Sequence, residues 1–502
     1  MMMTNRVEAK TGNSGAIATA FVSLFFVLLM LPLVLTPCMP NESTAEKRDL
    51  APWPSLVTEE GSPNAAVLSE AGAWFEDHFA GRAQLVDLDA TLKESLFMTS
   101  ATDNVIVGRD GWLYYAGTLN DYRRTRPLSD RALDNIACNI ALIERQLRSE
   151  GRGFAFTIAP NKNTLYPEHM PYYELAGSGP SDLERLVPLL EERGVSYVNL
   201  VDVLSGADRC LYLKRDSHWS NEGARVGAVA ILEMLGHHVE ALGGDEVVDS
   251  SEHVGDVDLM LHPVWAQGEM QKLWVDSLAW AYVGDATSVE DAHIETVADE
   301  PVVSGGVVVY RDSFGNALVP YLASVYERGI FTKMVPYDMS DATLSAARDV
   351  IVERAERHLS FFNSDPPYFT APVLEEIVPE ASEDTMSTLT TYENGPYLVV
   401  EGDLEQSYAD DGTPIYILVD LPDGSTKRYE AFHVGPSLAS TADQAGGQEE
   451  STPGVTTDWG FRAYVPMQDM GGSVAHGARV VVFHGGVPTV AIEREIERGG
   501  AQ

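Results

Sequence analysis

The chain has 502 residues, of which 45% are hydrophobic and 22% are charged, a length and composition that fit two or three folded domains and exclude a mostly disordered protein. Its 34 basic and 75 acidic residues give a formal net charge of −41, which repels phosphate backbones and anionic headgroups and argues against nucleic-acid binding. The three cysteines, Cys38, Cys138 and Cys210, are too few for a disulfide-dense scaffold and lack metal-site spacing, although Cys138 and Cys210 could pair in an oxidising compartment.

An apolar segment near the N-terminus, residues 16–36, predicts a transmembrane anchor. Its uncharged run matches the about 20 residues that cross a bilayer, and Arg6 and Lys10 before it favour a cytoplasmic tail over residues 1–15. A cleaved signal peptide is the alternative, although the run exceeds a usual signal core and no small-x-small cleavage pattern follows it. We therefore expect a single-pass protein of the cell membrane with an extracytoplasmic domain, or else a secreted protein.

Three segments of different character follow the apolar run. Residues 37–67 are rich in Pro, Ser, Glu and Asn, which predicts a linker. Residues 68–97 have apolar side chains at helical spacing, which predicts one or two helices. The segment NVIVGRDGWLYYAG then places two β-prone runs on either side of the turn signal Asp110-Gly111, and this pattern predicts a hairpin.

Helix and strand signals then alternate as far as residue 365, which predicts an α/β domain with a largely parallel sheet over residues 68–365. The predicted helices include SDRALDNIACNIALIERQLRSEG, SDLERLVPLLEERG and SNEGARVGAVAILEMLG, and the predicted strands include GFAFTIAPNK, VSYVNLVDVL and GGVVVY. In such sheets the carboxyl ends of the strands carry the functional residues. Chemistry is therefore expected where these strands end.

Residues 366–502 have a different pattern, with short β-prone runs divided by Gly, Pro and Asp turns such as Asp423-Gly424. This pattern predicts a separate all-β sandwich domain. A polar, low-complexity loop, SLASTADQAGGQEESTPGVTTD, interrupts it. An accessory domain that binds carbohydrate is one interpretation of this C-terminal part.

Three residues have the types and the setting of a serine acyl-transfer triad. Asp216 and His218 lie one residue apart on either side of Ser217, so both can face the same way in an extended segment, and a carboxylate can then orient the imidazole base. Ser313 lies between a β-prone run and a predicted helix, where a tight turn exposes the hydroxyl and points backbone N–H groups at a developing oxyanion. An isolated Asp-x-His is more often a solvated loop or a helix cap, so the prediction depends on all three residues meeting at one sheet edge.

The block RDSHWSNEGA, followed later by YRDSFGNALVPYLA, resembles the alginate O-acetyltransferase (AlgX/AlgJ-like) branch of the SGNH hydrolase superfamily. The segments VIVGRDGWLYY, IAPNKNTLYPEHMP and VGDVDLML resemble further motifs of that branch, and the resemblance runs from about residue 70 to residue 360. It implies an SGNH-hydrolase-like three-layer sandwich. It also implies Ser313 as the nucleophile, His218 as the general base and acid, and Asp216 as the residue that orients His218.

The sequence indicates the residues that contact the oxyanion or the substrate less clearly than it indicates the three triad residues. The backbone N–H of Ser313 is the leading oxyanion donor, and the further candidates are Asn161, Lys162, Tyr166, Trp219 and Asn316. For Lys162 and Tyr166 a loop held by packing is an equal alternative, and Trp219 is expected to buttress His218. Arg311 departs from the Gly that the family usually has there, and an arginine would be strained if the position requires a positive φ.

The resemblance implies that an acetyl group moves through an acetyl-serine intermediate onto a hydroxyl of a cell-envelope polysaccharide or exopolysaccharide. No bound cofactor is expected, because the acetyl group would come from acetyl-CoA through a membrane-bound O-acyltransferase partner. The acidic surface favours a neutral or zwitterionic acceptor over a strongly anionic one. Two alternatives stay open: an acetyl-esterase with the same triad, and an inactive glycan-binding or assembly protein.

Overall fold

The structure is a computed structural model that describes most of the chain. The described residues are 12–38, 50–58, 61–177, 179–239, 242, 247–274, 278–344, 347–381, 386–406, 408–421, 423–436, 455–470 and 477–495. Three sequence predictions therefore lie wholly or partly outside the described residues: the cytoplasmic tail up to residue 11, the linker over residues 39–49 and most of the polar C-terminal loop.

The described residues form two compact units, one comprising the chain up to Val107 with Val254–Gly268, and the other comprising Gly108–His253 with the chain from Glu269 onward. The helices are α1 (Gly12–Leu35), α2 (Val67–His78), α3 (Arg82–Phe97), α4 (Leu119–Arg123), α5 (Asp130–Ser149), α6 (Lys162–Leu165), α7 (Asp182–Glu192), α8 (Leu200–Ser205), α9 (Asn221–Met234), α10 (Asp256–Leu261), α11 (Val319–Val325), α12 (Asp341–Leu344) and α13 (Phe361–Ser364). The strands are β1 (Val105–Val107), β2 (Leu113–Tyr115), β3 (Gly153–Ala159), β4 (Tyr197–Val198), β5 (Val248–Ser250), β6 (Gln271–Leu273), β7 (Trp280–Val283), β8 (His293–Ala298), β9 (Val303–Tyr310), β10 (Tyr326–Thr332), β11 (Ala347–Ala355), β12 (Thr390–Asn394), β13 (Tyr397–Asp403), β14 (Ile415–Asp420), β15 (Thr426–Val434), β16 (Gly460–Pro466), β17 (Gly477–His484) and β18 (Val487–Glu495).

The first unit contains the apolar N-terminal helix α1 and the helices α2, α3 and α10. Within α1, the segment Gly15–Leu35 has a mean hydropathy of 2.6 and is long enough to cross a membrane, a test that a signal sequence also passes. Helices α2 and α3 occupy the predicted helical segment, so that prediction is confirmed. The hydroxyl of Thr36, just after α1, accepts the backbone N–H of Ala80 between α2 and α3 at 3.0 Å.

The predicted hairpin segment has strands β1 and β2 on either side of a tight turn. Asp110 and Gly111 have φ angles of +57° and +78°, values in the left-handed region that Asp and Gly tolerate best. The backbone N–H of Gly108 donates to the carbonyl of Trp112 at 2.8 Å and closes this turn. The turn that the Asp-Gly pair predicts is therefore present.

A seven-stranded sheet forms the centre of the second unit, in the order β4-β3-β11-β9-β10-β8-β7. The first five of these strands are parallel, while β8 and β7 are antiparallel and complete one side. The largely parallel sheet that the alternating signals predict is therefore confirmed. The valine-rich strand β9 is buried along most of its length because a parallel sheet is covered on both faces.

Alternate side chains of the central strands divide between two apolar cores, one on each face of the sheet. The first core joins even-numbered strand residues such as Phe156 and Val352 to the apolar faces of α5 and α7. The second core joins Ala155 and Ile351 to the apolar faces of α9 and α11. Helices on both faces of the sheet give the three-layer SGNH-like α/β architecture that was predicted.

One predicted strand is partly wrong. In the segment VSYVNLVDVL only Tyr197–Val198 is a strand, and Leu200–Ser205 is helix α8. Asn199 ends the strand because its side-chain oxygen accepts the backbone N–H groups of Val201 and Asp202 at 3.2 and 3.4 Å and so caps the helix. The apolar residues on both sides of Asn199 predict one continuous strand, so the N-cap function of Asn199 was missed.

The C-terminal part is all-β, as predicted. Its strands form one curled antiparallel sheet in the order β12-β13-β16-β15-β14-β17-β18. Strands β13 to β18 all contribute buried side chains to a shared apolar core, including Val400, Ile417, Ala431, Val465 and Val480. The curl of the sheet therefore encloses a core, as the two layers of a sandwich would.

Helix α5 packs against strand β15 through polar side chains. Asn139 exchanges two hydrogen bonds with the backbone of His433, at 2.7 and 2.8 Å. Asn135 donates to the side-chain oxygen of Asn363 and to the carbonyl of Asp458, each at 2.9 Å. The side-chain amides of Asn135 and Asn139 are buried, and their N–H groups are hydrogen-bonded. They therefore join the α/β part to the C-terminal sheet without leaving a buried N–H group unpaired.

Candidate active site

The nucleophile candidate lies on a turn at the carboxyl end of β9. Ser313 comes three residues after the end of this strand and immediately precedes a short 3₁₀ helix, Phe314–Leu318, that leads into α11. Pro320 lies at the start of α11, where its missing N–H costs nothing. The turn is tight because an added Cβ on Gly315 would lie 2.5 Å from Arg311 Cβ and 2.8 Å from a Glu353 carboxylate oxygen, so only glycine fits there.

The base and its carboxylate lie in a closed loop between the end of the β4–α8 region and α9. An isolated bridge between Tyr212 and Trp219 closes this loop. Ser220 then caps α9, because its side-chain oxygen accepts the backbone N–H of Gly223 at 3.2 Å. The segment LYLKRDSHWSNEGA, which contains both candidates, is thus a loop with fixed ends.

The structure brings the three predicted residues together. His218 Nε2 lies 2.9 Å from the Oγ of Ser313, and His218 Nδ1 lies 2.7 Å from Oδ1 of Asp216. The same Oδ1 also accepts the backbone N–H of His218 at 2.8 Å. Because a serine hydroxyl, an imidazole and a carboxylate are joined in this order, the imidazole can take the serine proton while the carboxylate stabilises the resulting charge.

The Asp216 side chain is buried and holds a charge. Burial alone would raise its pKa, but the neighbouring charge and hydrogen bond of His218 and those of His253 hold the pKa well below its usual range. Asp216 is therefore an acceptor for both rings. The arrangement keeps a negative charge directly behind the imidazole that faces Ser313.

His253 is a site neighbour that the sequence did not indicate. Its Nε2 lies 2.7 Å from Oδ2 of Asp216, the oxygen that His218 does not use. A lone histidine 37 residues from its partner carries no pattern of its own. The motif VGDVDLML follows His253 directly, but its residues do not indicate a function for that histidine.

Lys162 is buried and its ammonium group is used inside the protein. It donates to the carbonyl oxygens of Leu213, Lys214 and Asp216 at 3.0, 2.9 and 2.5 Å. It also lies 5.1 Å from the centre of the Tyr114 ring. These contacts favour the packing alternative for Lys162, because they fasten the loop that carries Asp216.

Tyr166 and Trp219 also take supporting positions. The Tyr166 hydroxyl accepts the backbone N–H of Leu211 at 2.9 Å, at the start of the same loop. The buried Trp219 indole N–H donates to the Phe314 carbonyl at 3.0 Å, and the Phe314 ring lies 4.7 Å from the His218 ring. Trp219 therefore supports His218 through Phe314, as a buttress would.

Asn161 and Asn316 are committed to partners other than Ser313 Oγ. The Asn161 side-chain amide donates to Asp121 at 3.1 Å, and its backbone N–H donates to Glu356 at 2.8 Å. The Asn316 amide donates to Glu290 at 2.7 Å, and its side-chain oxygen accepts from the Arg311 guanidinium. These bonds hold the walls of the site in place.

Arg311 is fully buried and unstrained. The non-glycine residues with positive φ in the described part of the chain are Met98, Asp110 and Arg124, so the strain expected at Arg311 is absent. Its guanidinium donates to the carbonyls of Val289 and Asp291 at 3.1 and 3.0 Å. Burial lowers the pKa of Arg311 to about 10, which still leaves it charged at neutral pH.

Asp312 holds the turn that carries Ser313 in place through its carboxylate. One carboxylate oxygen accepts the N–H of Phe314 at 2.9 Å, and the other accepts from Ala355 N–H at 2.8 Å and from His358 Nδ1 at 3.1 Å. Burial would raise the pKa of Asp312, but the His358 hydrogen bond and the charges of nearby arginines lower it. The ionised carboxylate thus joins the turn to the end of β11.

Part of the chain is similar to a known protein family. Residues 105–298 match the family described as "ALGX: SGNH hydrolase-like domain, acetyltransferase AlgX", a range that includes Asp216 and His218 and ends before Ser313. A search of curated protein sequences gave no match.

Similar solved structures include PatB1 of Bacillus cereus, which is 15% identical, with 51% of this chain and 96% of that chain covered and a TM-score of 0.41. The O-acetyltransferase domain of Pseudomonas putida AlgJ is 16% identical, with 51% and 92% covered and a TM-score of 0.36. Pseudomonas aeruginosa AlgX is 13% identical, with 78% and 93% covered and a TM-score of 0.35. At these scores the structural likenesses carry no argument, so the similarity that counts is the family match: residues 105–298 are similar to the SGNH hydrolase-like acetyltransferase domain of AlgX.

Proposed function

We propose that the protein is an extracytoplasmic O-acetyltransferase that moves an acetyl group through Ser313 onto a hydroxyl of a cell-envelope polysaccharide or exopolysaccharide. The observation that carries the proposal is the 2.9 Å separation between His218 Nε2 and Ser313 Oγ. A hydrogen bond of this length is what general-base activation of a serine requires. The AlgX-type acetyltransferase domain supports acetyl as the transferred group.

In the first half-reaction, Ser313 Oγ attacks the acetyl carbonyl of the donor while His218 Nε2 takes the hydroxyl proton. The tetrahedral intermediate collapses to acetyl-Ser313 when the imidazolium returns that proton to the leaving group of the donor. Asp216, 2.7 Å from Nδ1, stabilises the imidazolium and keeps Nε2 directed at the serine. The backbone N–H of Ser313 is the proposed donor to the oxyanion.

In the second half-reaction, a sugar hydroxyl replaces the donor. His218 takes the proton of that hydroxyl, the sugar oxygen attacks the acetyl carbonyl, and the proton passes to Ser313 Oγ as the ester bond to serine breaks. The products are an acetylated sugar and free Ser313. An acetyl-esterase would use water in place of the sugar with the same residues, so the acceptor decides between the two activities.

The N-terminal part of the chain supports the proposed cellular location and the proposed source of the acetyl group. Helix α1 is long and apolar enough to anchor the protein in a membrane, with the catalytic domain outside the cytoplasm. The acetyl group of acetyl-CoA then has to cross the bilayer, and a membrane-bound O-acyltransferase is the proposed partner that delivers it. The net charge of −41 favours a neutral or zwitterionic acceptor glycan.

The proposal is tested with the full-length protein in detergent, a chromogenic acetyl ester and short neutral glycans. We expect an acetylated glycan from the wild type and none from Ser313→Ala. Ser324→Ala is the matched control and retains activity, because the Ser324 hydroxyl donates to the Tyr321 carbonyl of its own helix at 2.9 Å. Free acetate without acetylated glycan would replace the transferase by an esterase, and no turnover by the wild type would favour a glycan-binding protein.

A further inference from the structure

Two imidazole rings share the carboxylate of Asp216. His218 Nδ1 lies 2.7 Å from Oδ1, and His253 Nε2 lies 2.7 Å from Oδ2. We infer that His253 is a positioning residue for the acyl transfer: its N–H holds Oδ2 and thereby fixes the carboxylate in the orientation that aligns His218 with Ser313. This inference rests on the proposed function, because it concerns the efficiency of the same serine.

The direction of the second hydrogen bond follows from the charge on Asp216. The buried carboxylate is ionised, because the two histidines hold its pKa well below the usual range, and an ionised carboxylate only accepts hydrogen bonds. His253 Nε2 must therefore carry a proton and donate it. This requirement holds whether the His253 ring is neutral or charged.

A donor to the second carboxylate oxygen is needed because hydrogen bonds to one oxygen alone do not fix the orientation of an aspartate side chain. The χ2 torsion of aspartate is broad, so its carboxylate rotates readily unless both oxygens are held. Oδ1 accepts both the ring Nδ1 and the backbone N–H of His218, and Oδ2 accepts His253 Nε2. Rotation of the carboxylate would break all three bonds together, so His253 stabilises the orientation that the other two need.

The backbone and the side chain of Asp216 are held by different residues. The ammonium of Lys162 bonds the carbonyl of Asp216 and those of two preceding residues, so it fixes where the loop lies. His253 bonds the carboxylate of Asp216, so it fixes how the side chain is turned. Loss of Lys162 is thus expected to disturb the loop, whereas loss of His253 is expected to disturb the alignment alone.

His253 can be removed with little effect on folding. Its side chain is 45% exposed, whereas that of Asp216 is 3% exposed, so substitution of His253 leaves no closed cavity. Its backbone carbonyl accepts the N–H of Glu269 at 2.9 Å, and substitution of the side chain leaves that bond in place. An effect on the reaction can therefore be separated from an effect on stability.

The test measures the acylation of Ser313 by p-nitrophenyl acetate in the full-length protein, in single-turnover experiments over a range of ester concentrations. His253→Leu removes the donor, and we expect the acylation rate constant at saturation to fall about 10- to 100-fold, the range typical of groups that orient a reacting residue, with the half-saturating ester concentration unchanged. His253→Gln places an amide N–H near the position of Nε2, and we expect it to restore most of the rate.

The matched control is His293→Leu, since the His293 side chain is 51% exposed and lies on β8. Urea unfolding midpoints of all variants are compared with that of the wild type. The inference is overturned if His253→Leu acylates as fast as the wild type, or if His253→Gln is as slow as His253→Leu. A wild type that is no faster than Ser313→Ala would instead overturn the proposed function itself, so the two failures are distinct.

Discussion

Asp216 is the most heavily constrained residue near Ser313. Its carboxylate accepts from two imidazoles, and its carbonyl accepts from the buried ammonium of Lys162. A charged lysine is rarely buried unless its donors are used, and here three carbonyl oxygens use them. The position of the Asp216 carboxylate therefore depends on the buried ammonium of Lys162.

Lys162→Met is the residue-scale test of this arrangement. The substitution keeps most of the side-chain volume but removes the Lys162 donor from the buried carbonyls of Leu213 and Asp216, so we expect the free energy of unfolding to fall by about 2 kcal/mol. The Lys214 carbonyl keeps a second donor, the backbone N–H of Leu113. Esterase activity falls with the stability, because the Asp216 loop loosens. Urea denaturation and chromogenic ester hydrolysis measure both effects. A variant with wild-type stability and only a raised KM would show that Lys162 contacts substrate instead.

The triad candidates could be predicted from the sequence, whereas their supports could not. Asp216, His218 and Ser313 have residue types and local settings that chemistry recognises: an imidazole beside a carboxylate, and a serine between a strand and a helix. The function of His253 depends on a contact with a residue 37 positions away, and no periodicity encodes such a contact. For Lys162 the sequence shows the charge but not the direction of the side chain.

At the scale of elements, helix α5 has two different buried faces. Its apolar face packs on the central sheet, as its hydrophobic spacing predicts. On its polar face, Asn139 and Arg131 contact His433 of β15, and Asn135 donates to the carbonyl of Asp458. The Arg131 guanidinium lies 4.0 Å from the centre of the Trp459 ring. Polar residues on a helix usually face solvent, so the residue pattern does not predict that this face is covered.

His433, at the junction of β15 with α5, makes stability depend on pH. Burial and the charges of Arg131 and Arg193 lower the pKa of His433 to about 3, so the folded protein holds it neutral. The unfolded chain binds a proton below about pH 6.5, so this contribution is complete above that pH and is lost as the pH falls toward 3. We expect the free energy of unfolding to drop by about 2 kcal/mol between pH 7.5 and pH 5 from this residue alone.

Urea denaturation at several pH values measures the effect. His433→Gln keeps a polar side chain and removes the titrating ring, so its free energy of unfolding should vary less with pH than that of the wild type. The matched control, the half-exposed His293→Gln, should retain the wild-type slope. Equal slopes for the wild type and His433→Gln would contradict the assignment.

Helices and strands were predicted correctly where a segment carried one clear sequence signal. The prediction was wrong where a strand signal and a helix-cap signal occurred in the same segment. The predicted helices α5 and α7 are present, and each follows a capping serine: Ser129 before α5, and Ser181 in a capping box with Glu184 at the start of α7. In VSYVNLVDVL the β-branched residues favoured a strand, but Asn199 divides the segment by capping a helix. The apolar residues of that helix pack inward just as those of a buried strand would.

At the scale of the whole molecule, charge is the dominant property. A net charge of −41 surrounds the catalytic domain with a field that opposes anionic polymers. A helix suited to a membrane precedes this domain in the chain. Under the proposed function, we expect both features to restrict which acceptor glycans reach Ser313.

Salt dependence separates acceptor classes at this scale. For a neutral glycan we expect kcat/KM of acetyl transfer to change little between about 10 mM and 300 mM salt, since there is no charge to screen. For a uronate-rich glycan we expect a low kcat/KM that rises with salt, because screening weakens the repulsion. Transfer to the anionic glycan that is fastest at low salt would contradict the inferred acceptor preference.

The most direct measurement is mass spectrometry of the peptide that contains Ser313 after the full-length protein has reacted briefly with a chromogenic acetyl ester. We predict one acetyl group on Ser313, which disappears when a glycan acceptor is added and which does not form in Ser313→Ala. Acetylated glycan produced without any acetyl on Ser313, or produced equally well by Ser313→Ala, would contradict a mechanism in which His218 activates this serine.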